Sequence, residues 1–288
     1  MSNYSRRDFL KYAGAGGAVA GLLSAIPLEL RANPLGLPIG CQTWTVRQRI
    51  AKDFPGTIKM LAGIGFQSIE LCSPLGYADA GFADVGKYSG AQLKRLLRNE
   101  GVTCISSHFT IQELKKEQDR SIAWAKEVGL TQMIVPALAG PKHPTVDDVK
   151  RIADDFNGIA ERAHRAGLQQ GLHNEGFLDE KTVDGQNVYD LLFKFLDPKL
   201  VKFQYQISSI EWGFHAVHYF RKYPGRFISM HAQGWDARTR KVVAIGQGTL
   251  NWKEIFEAAK VGGIKNYFVE MELPMMRASV PYLRKLQV

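Results

Sequence analysis

Three cysteines in 288 residues, an odd number, do not make a disulfide framework. Cys41, Cys72 and Cys104 each fall within a short apolar run, so buried free thiols are expected. No glycine-rich phosphate-binding turn follows the first such run, which argues against an open dinucleotide-binding sheet. From residue 37 onward no Pro/Gly/Ser-rich linker interrupts the chain, so nothing marks a boundary between two domains. The formal charge is +9, yet the lysines are spread along helix-like segments without forming a block. That distribution describes a solvated surface, and nucleic acid is not expected as a partner.

What is present begins at the N-terminus. Ser5-Arg6-Arg7-Asp8-Phe9-Leu10-Lys11 precedes a Gly/Ala-rich apolar run over residues 12–26 that holds no acidic residue. It resembles a twin-arginine export signal, S-R-R-x-F-L-K, at every specified position. The run is glycine-rich and shorter than the roughly 20 apolar residues of a membrane span, so periplasmic or other export is the expectation. Leu30-Arg31-Ala32 is a poor small-x-small cleavage site, and membrane anchoring follows only if the signal is uncleaved. Residues 1–33 are therefore set apart as the signal and 34–288 as the folded domain.

Eight apolar runs read as strands, over residues 37–44, 68–72, 102–108, 132–137, 168–173, 201–207, 227–231 and 266–270. Helical patterns separate them, among them 90–99, 111–128, 146–166 and 251–259, most ending in a glycine such as Gly101, Gly129, Gly167 or Gly263. Strand then helix, eight times in about 250 residues, predicts an α/β fold closed into a single (β/α)8 TIM barrel.

In such a barrel the chemistry belongs at the C-terminal ends of the strands, on residues that point inward, and residues two apart share a face. In the fifth run Gly171, His173 and Glu175 share the inward face. In the sixth, Lys202, Gln204 and Gln206 point inward while Phe203, Tyr205 and Ile207 face helices. In the seventh, Phe227, Ser229, His231 and Gln233 go together, and in the eighth Asn266, Phe268 and Glu270 oppose Tyr267 and Val269. His173, Gln206, His231 and Glu270 thus converge at one mouth. Two imidazoles, an amide oxygen and a carboxylate are a plausible ligand set for a divalent metal, against the alternative of a hydrogen-bonded polar cluster without an ion.

The segments Gly171-Leu172-His173-Asn174-Glu175, residues 223–231 (YPGRFISMH), residues 245–252 (IGQGTLNW) and Tyr267-Phe268-Val269-Glu270 resemble the xylose-isomerase-like TIM barrels known as sugar phosphate isomerases/epimerases. The resemblance spans roughly residues 37–285. It implies a divalent ion (Mn, Zn or Co) at the ends of the fifth to eighth strands, and proton abstraction next to the carbonyl of a small-molecule sugar or keto sugar. It places His173, His231 and Glu270 at ligand positions, with Gln206 where the family has aspartate. Glu270 or Glu175 is then the catalytic base, and Glu70, His108, Gln233 and Trp44 are candidate substrate contacts.

The departures cluster in the site. Glu175 stands where the family has a second histidine, Gln233 where it has lysine, and the usual second glutamate is missing at Leu178 and Asp179. Few anionic ligands favour an imidazole-friendly ion such as Zn²⁺ or Co²⁺. Three readings stay open: an isomerase or epimerase, a 3-keto-glycoside lyase working by β-elimination with a single base, and a sugar-binding barrel without catalysis. The richer His/Asp/Glu set of AP endonucleases, which share the barrel, is absent. A homo-oligomer is left open.

Overall fold

Short runs rich in β-branched and apolar residues form the barrel staves. The computed structural model describes residues 33–174 and 182–288; the export signal, apart from Asn33, and Glu175, Leu178 and Asp179 lie outside them. The eight strands are β1 (Ile39–Gln42), β2 (Ser68–Cys72), β3 (Thr103–His108), β4 (Gln132–Val135), β5 (Gln169–His173), β6 (Val201–Gln206), β7 (Phe227–Ala232) and β8 (Asn266–Val269). Each pairs in parallel with its sequence neighbour, and β8 closes on β1 with Ile39 opposite Tyr267. The expected (β/α)8 barrel is the fold, with strand ends within two residues of those read from the sequence.

Helices follow the strands and cover the outside: α1 (Phe54–Ile64), α2 (Gly90–Asn99), α3 (Ile111–Val128), α4 (Val146–Arg165), α5 (Val188–Phe195), α6 (Ala216–Lys222), α7 (Trp252–Gly262) and α8 (Leu273–Leu283). Most of their starts are fixed by side chains. Ser89 and Gln92 form a reciprocal capping box at α2, as Thr145 and Asp148 do at α4. Gly129 and Gly263 end α3 and α7 at φ of 92° and 94°, a left-handed conformation that costs glycine nothing. All three cysteines are buried and none forms a disulfide.

Alternation along the strands separates core from site. Phe203 stacks on Phe193 of α5 at 3.9 Å between ring centroids, and Tyr205 meets Phe220 of α6 at 5.2 Å. Gln204 and Gln206 face the axis instead, as expected. On β8, Tyr267 packs on Phe256 of α7 while Phe268 lies inside, edge-on to His231.

One residue breaks the expected pattern. Phe227 faces the helices, 4.9 Å from Phe220 and 5.5 Å from Phe193, on the opposite side from Ser229 and His231. The cause is a register slip: Phe203 pairs with Phe227, but Gln204 pairs with Ser229, so Ile228 is an extra residue in β7. A bulge of this kind inverts the alternation on one side of it.

Candidate active site

Glu70 on β2 lies at the centre of the site and is fully buried. Its Oε1 accepts from Ser106 Oγ at 2.5 Å and from Gln204 Nε2 at 2.8 Å. Its Oε2 accepts from Gln42 Nε2 at 2.9 Å and His231 Nε2 at 2.6 Å, with His108 Nε2 at 3.2 Å. The two slips in the barrel ladder flank this arrangement. One lies between Ile69 and Glu70 in the β2–β3 pairing, the other between Phe203 and Gln204 in the β6–β7 pairing. The extra residues are Ile105 in β3 and Ile228 in β7, so the slips re-aim those two strands, while Glu70 and Gln204 meet across the axis from opposite walls.

His231 joins this buried layer to the mouth. Its second nitrogen, Nδ1, lies 3.0 Å from Glu270 Oε2, which also accepts from Gln206 Nε2 at 2.7 Å. Asn174 Oδ1 accepts from the Gln206 backbone N–H at 2.6 Å, and Ser209 Oγ donates to the Gln206 carbonyl at 2.7 Å, so the end of β6 is held from both sides. Gln206 Oε1 is buried and has no hydrogen-bond partner among the described residues.

Because both ring nitrogens of His231 meet carboxylates, both carry protons and the ring is an imidazolium. Burial works against that charge, but Glu270 and Glu70 outweigh it and raise the His231 pKa to about 10. Burial likewise pushes the Glu70 carboxyl up, and the adjacent His108 and His231 reverse this and hold it well below the usual range. Glu270 follows the same pattern: His231 and the Gln206 amide overcome burial and lower it. His173 goes the other way. Burial, then the charges of His231 and His108, drop its pKa far below the ordinary imidazole value, so it is neutral. Its ring lies 4.5 Å from that of His231 and 5.6 Å from that of His108.

The four ligand candidates read from the sequence come together around the strand ends, but the converging atoms differ from that set. Ligand atoms of Glu70, His108 and His231 all lie within 4.8 Å of one another. Glu70 and His108, expected at the rim against substrate, form the inner part of the cluster. Glu70 has five donors on its two oxygens and no exposed surface, so it offers nothing to a substrate directly. Trp44 is exposed on a short turn after β1, with Arg47 Cζ 4.4 Å over its ring and Tyr77 edge-on at 6.0 Å. Gln233 is half-buried just past β7.

Gln42, Ser106 and Ser229, which complete the polar layer with Gln204, were not picked out as site residues. Two-residue alternation marks them: Gln42 is two residues before Trp44, and Ser106 two before His108. Small polar residues on an inward strand face were the available signal.

Residues 58–286 match the family model of the xylose isomerase-like TIM barrel, and residues 3–22 match that of the twin-arginine translocation pathway signal sequence, the route by which the chain is exported. No curated protein matches the chain. Among solved structures, a sugar phosphate isomerase/epimerase from Parabacteroides distasonis is 24% identical, with a TM-score of 0.68 over 86% of this chain and 94% of that one. A probable 3-DHS dehydratase involved in petrobactin synthesis, from Bacillus anthracis, is 12% identical with a TM-score of 0.67, over 86% and 98% of the two chains. A D-psicose 3-epimerase is 14% identical with a TM-score of 0.60, over 86% and 96%. At these identities the likeness to solved structures is one of fold.

Proposed function

We propose, for a chain that belongs to the xylose isomerase-like TIM barrel family, that the barrel mouth takes a small sugar or keto sugar and moves a proton beside its carbonyl. The observation that carries this reading is the asymmetry of the two carboxylates bonded to His231. Glu70 is sealed, whereas the Glu270 side chain keeps 15% of its surface exposed. Glu270 is the base: His231 and Gln206 hold it ionised, ready to accept a carbon-bound proton at neutral pH. Glu175, the other candidate base, lies outside the described residues. Trp44 and Gln233 are the proposed substrate contacts at the rim. Export favours an unphosphorylated substrate, because phosphorylated sugars are mainly intracellular. The signal is assigned to residues 1–33 and the barrel to 34–288, with the periplasm as destination.

The cluster fits a divalent cation. Two imidazoles and a carboxylate converge through Glu70, His108 and His231, a set suited to zinc and its first-row neighbours. Two ionised carboxylates, Glu70 in the buried layer and Glu270 at the mouth, flank the His231 imidazolium. His173, Gln206 and Glu270 are the outer donors of the same set, and the partnerless Gln206 Oε1 is one of them. When bound, such an ion polarises a substrate carbonyl as a Lewis acid. The protein's own part is to keep Glu270 charged, to keep His173 neutral and able to donate a lone pair, and to keep Glu70 beyond the reach of water.

Incubation with a ketose and with a 3-keto-glycoside in D₂O tests the reading. Deuterium in an intact sugar identifies isomerisation, and release of aglycone identifies elimination by the same base. Glu270→Gln is expected to lower either signal by roughly 10²- to 10⁴-fold, the usual worth of a positioned base. Neither product from the wild-type chain, with or without added Zn²⁺, Mn²⁺ or Co²⁺, overturns catalysis and leaves a sugar-binding barrel.

A further inference from the structure

The last turns of the helices and the segments that lead from them into the strands form the face of the barrel opposite the mouth. Lysine and arginine are spread along the chain, but barrel closure collects them on this face. The last four residues of each of α1–α8, with the segment that follows each helix, hold thirteen Lys and Arg against three Asp and Glu. The segments after the strands, with the first four residues of each helix, hold nine against thirteen among the described residues. One end of the barrel therefore carries +10 and the mouth end −4.

Eight of the thirteen cations lie in last helical turns, where they complement the helix dipoles. The other five, Lys199, Arg226, Lys265, Arg284 and Lys285, follow the helices, and a dipole's pull fades past the last turn. Among the described residues only Arg165, Arg221 and Lys222 of the thirteen have a carboxylate partner. Lys199, Lys260 and Lys265 are exposed, and Val261 beside them is an exposed apolar residue. The second observation is where the chain enters. Asn33 Nδ2 donates to Gln67 Oε1 at 2.8 Å, in the loop between α1 and β2, so the export signal joins the barrel at this same face. Export thus brings the basic end, and not the mouth, to the bilayer. Basic residues beside a membrane-directed segment are drawn to anionic headgroups.

We infer that this face docks on an anionic phospholipid bilayer, with the mouth turned away toward soluble substrate. The attraction belongs to the barrel and acts with or without the signal; it does not rest on the chemistry proposed for Glu270. Flotation of the full chain with vesicles of phosphatidylglycerol and phosphatidylcholine in equal parts, and of phosphatidylcholine alone, tests it. The signal is common to every arm, so the quantity read is the ratio of binding to anionic over neutral vesicles. That ratio is expected to be at least about tenfold in dilute salt, and to fall near unity at about 1 M salt, where charges are screened within about 3 Å. The triple variant Lys199→Glu, Lys260→Glu, Lys265→Glu is expected to lower the ratio at least about fivefold. Arg49→Glu, Lys52→Glu, Lys253→Glu makes the same change of charge at the mouth end and is expected to stay within about twofold of the wild type. Circular dichroism checks that both variants fold. A wild-type ratio near unity in dilute salt, a ratio that persists at high salt, no loss in the first variant, or equal loss in both overturns the assignment. Tighter binding, per phosphate, to a DNA duplex than to the anionic vesicles overturns it as well.

Discussion

Glu70 and Glu113 are both buried carboxylates that accept from serine hydroxyls, one within β2 and the other in the first turn of α3, yet their surroundings push them in opposite directions. Burial raises both. At Glu70 the imidazoles of His108 and His231 reverse the effect, and at Glu113 the hydroxyls of Ser121 and Ser73 with the backbone N–H groups of Thr110 and Gly76 do not. Charged neighbours, and not the number of hydrogen bonds, decide the direction of the shift. The two residues therefore carry different liabilities. Glu70 is one half of a buried ion pair with His231, and removing its charge strands the other half. Glu113 has no charged partner among the described residues to strand.

The same substitution at the two positions tests this most strongly. Glu70→Gln is expected to cost about 3–5 kcal/mol in urea denaturation at pH 7 with a chelator present, the usual price of breaking a buried pair. The amides of Gln42 and Gln204 cannot rearrange to help. Gln42 Oε1 already accepts from the Trp44 N–H at 2.8 Å, and Gln204 Oε1 is 2.8 Å from His108 Nε2. A loss under about 1 kcal/mol would mean that the imidazoles do not set the charge of Glu70.

Gln206→Asp sharpens the comparison at intermediate size. It exchanges an amide donor on Glu270 for a second carboxylate, so the metal-free chain loses stability through like-charge repulsion. Divalent affinity is expected to rise by roughly tenfold, the scale on which altered partners move metal sites. Calorimetric titration with Zn²⁺ and Mn²⁺ reads it, and unchanged affinity removes Gln206 from the ligand set.

Most of the fold was legible in the sequence because eight strand-like runs, each separated by an amphipathic run, admit few other closures. The helix-facing Phe203, Tyr205 and Tyr267 followed from two-residue alternation. Phe227 did not, because alternation carries across a strand only while the register holds, and Ile228 breaks it. The site was legible as a set of strand-end residues but not as a network. Nothing in the order of residues says that Glu70 reaches across the axis to Gln204, 134 positions away. That contact depends on barrel closure, a property of paired strands that leaves no mark in either strand alone.

The smallest expected effect bears on Glu113 and follows from the sign of its shift. Its folded carboxyl keeps a proton to higher pH than a glutamate of the unfolded chain, which titrates near 4.3. Whatever stability this contributes is complete below that value and is lost as pH rises through the raised one. Glutamine imitates the protonated acid, and the hydroxyls of Ser73 and Ser121 can turn to accept from its amide. Glu113→Gln is therefore expected to match the wild type within about 0.5 kcal/mol at pH 4 and to be equal or up to about 1 kcal/mol more stable at pH 8. Urea denaturation of both chains at the two pH values measures the crossing. A loss at pH 8 comparable to that of Glu70→Gln would show that Glu113 has a charged partner after all, and would dissolve the distinction between the two carboxylates.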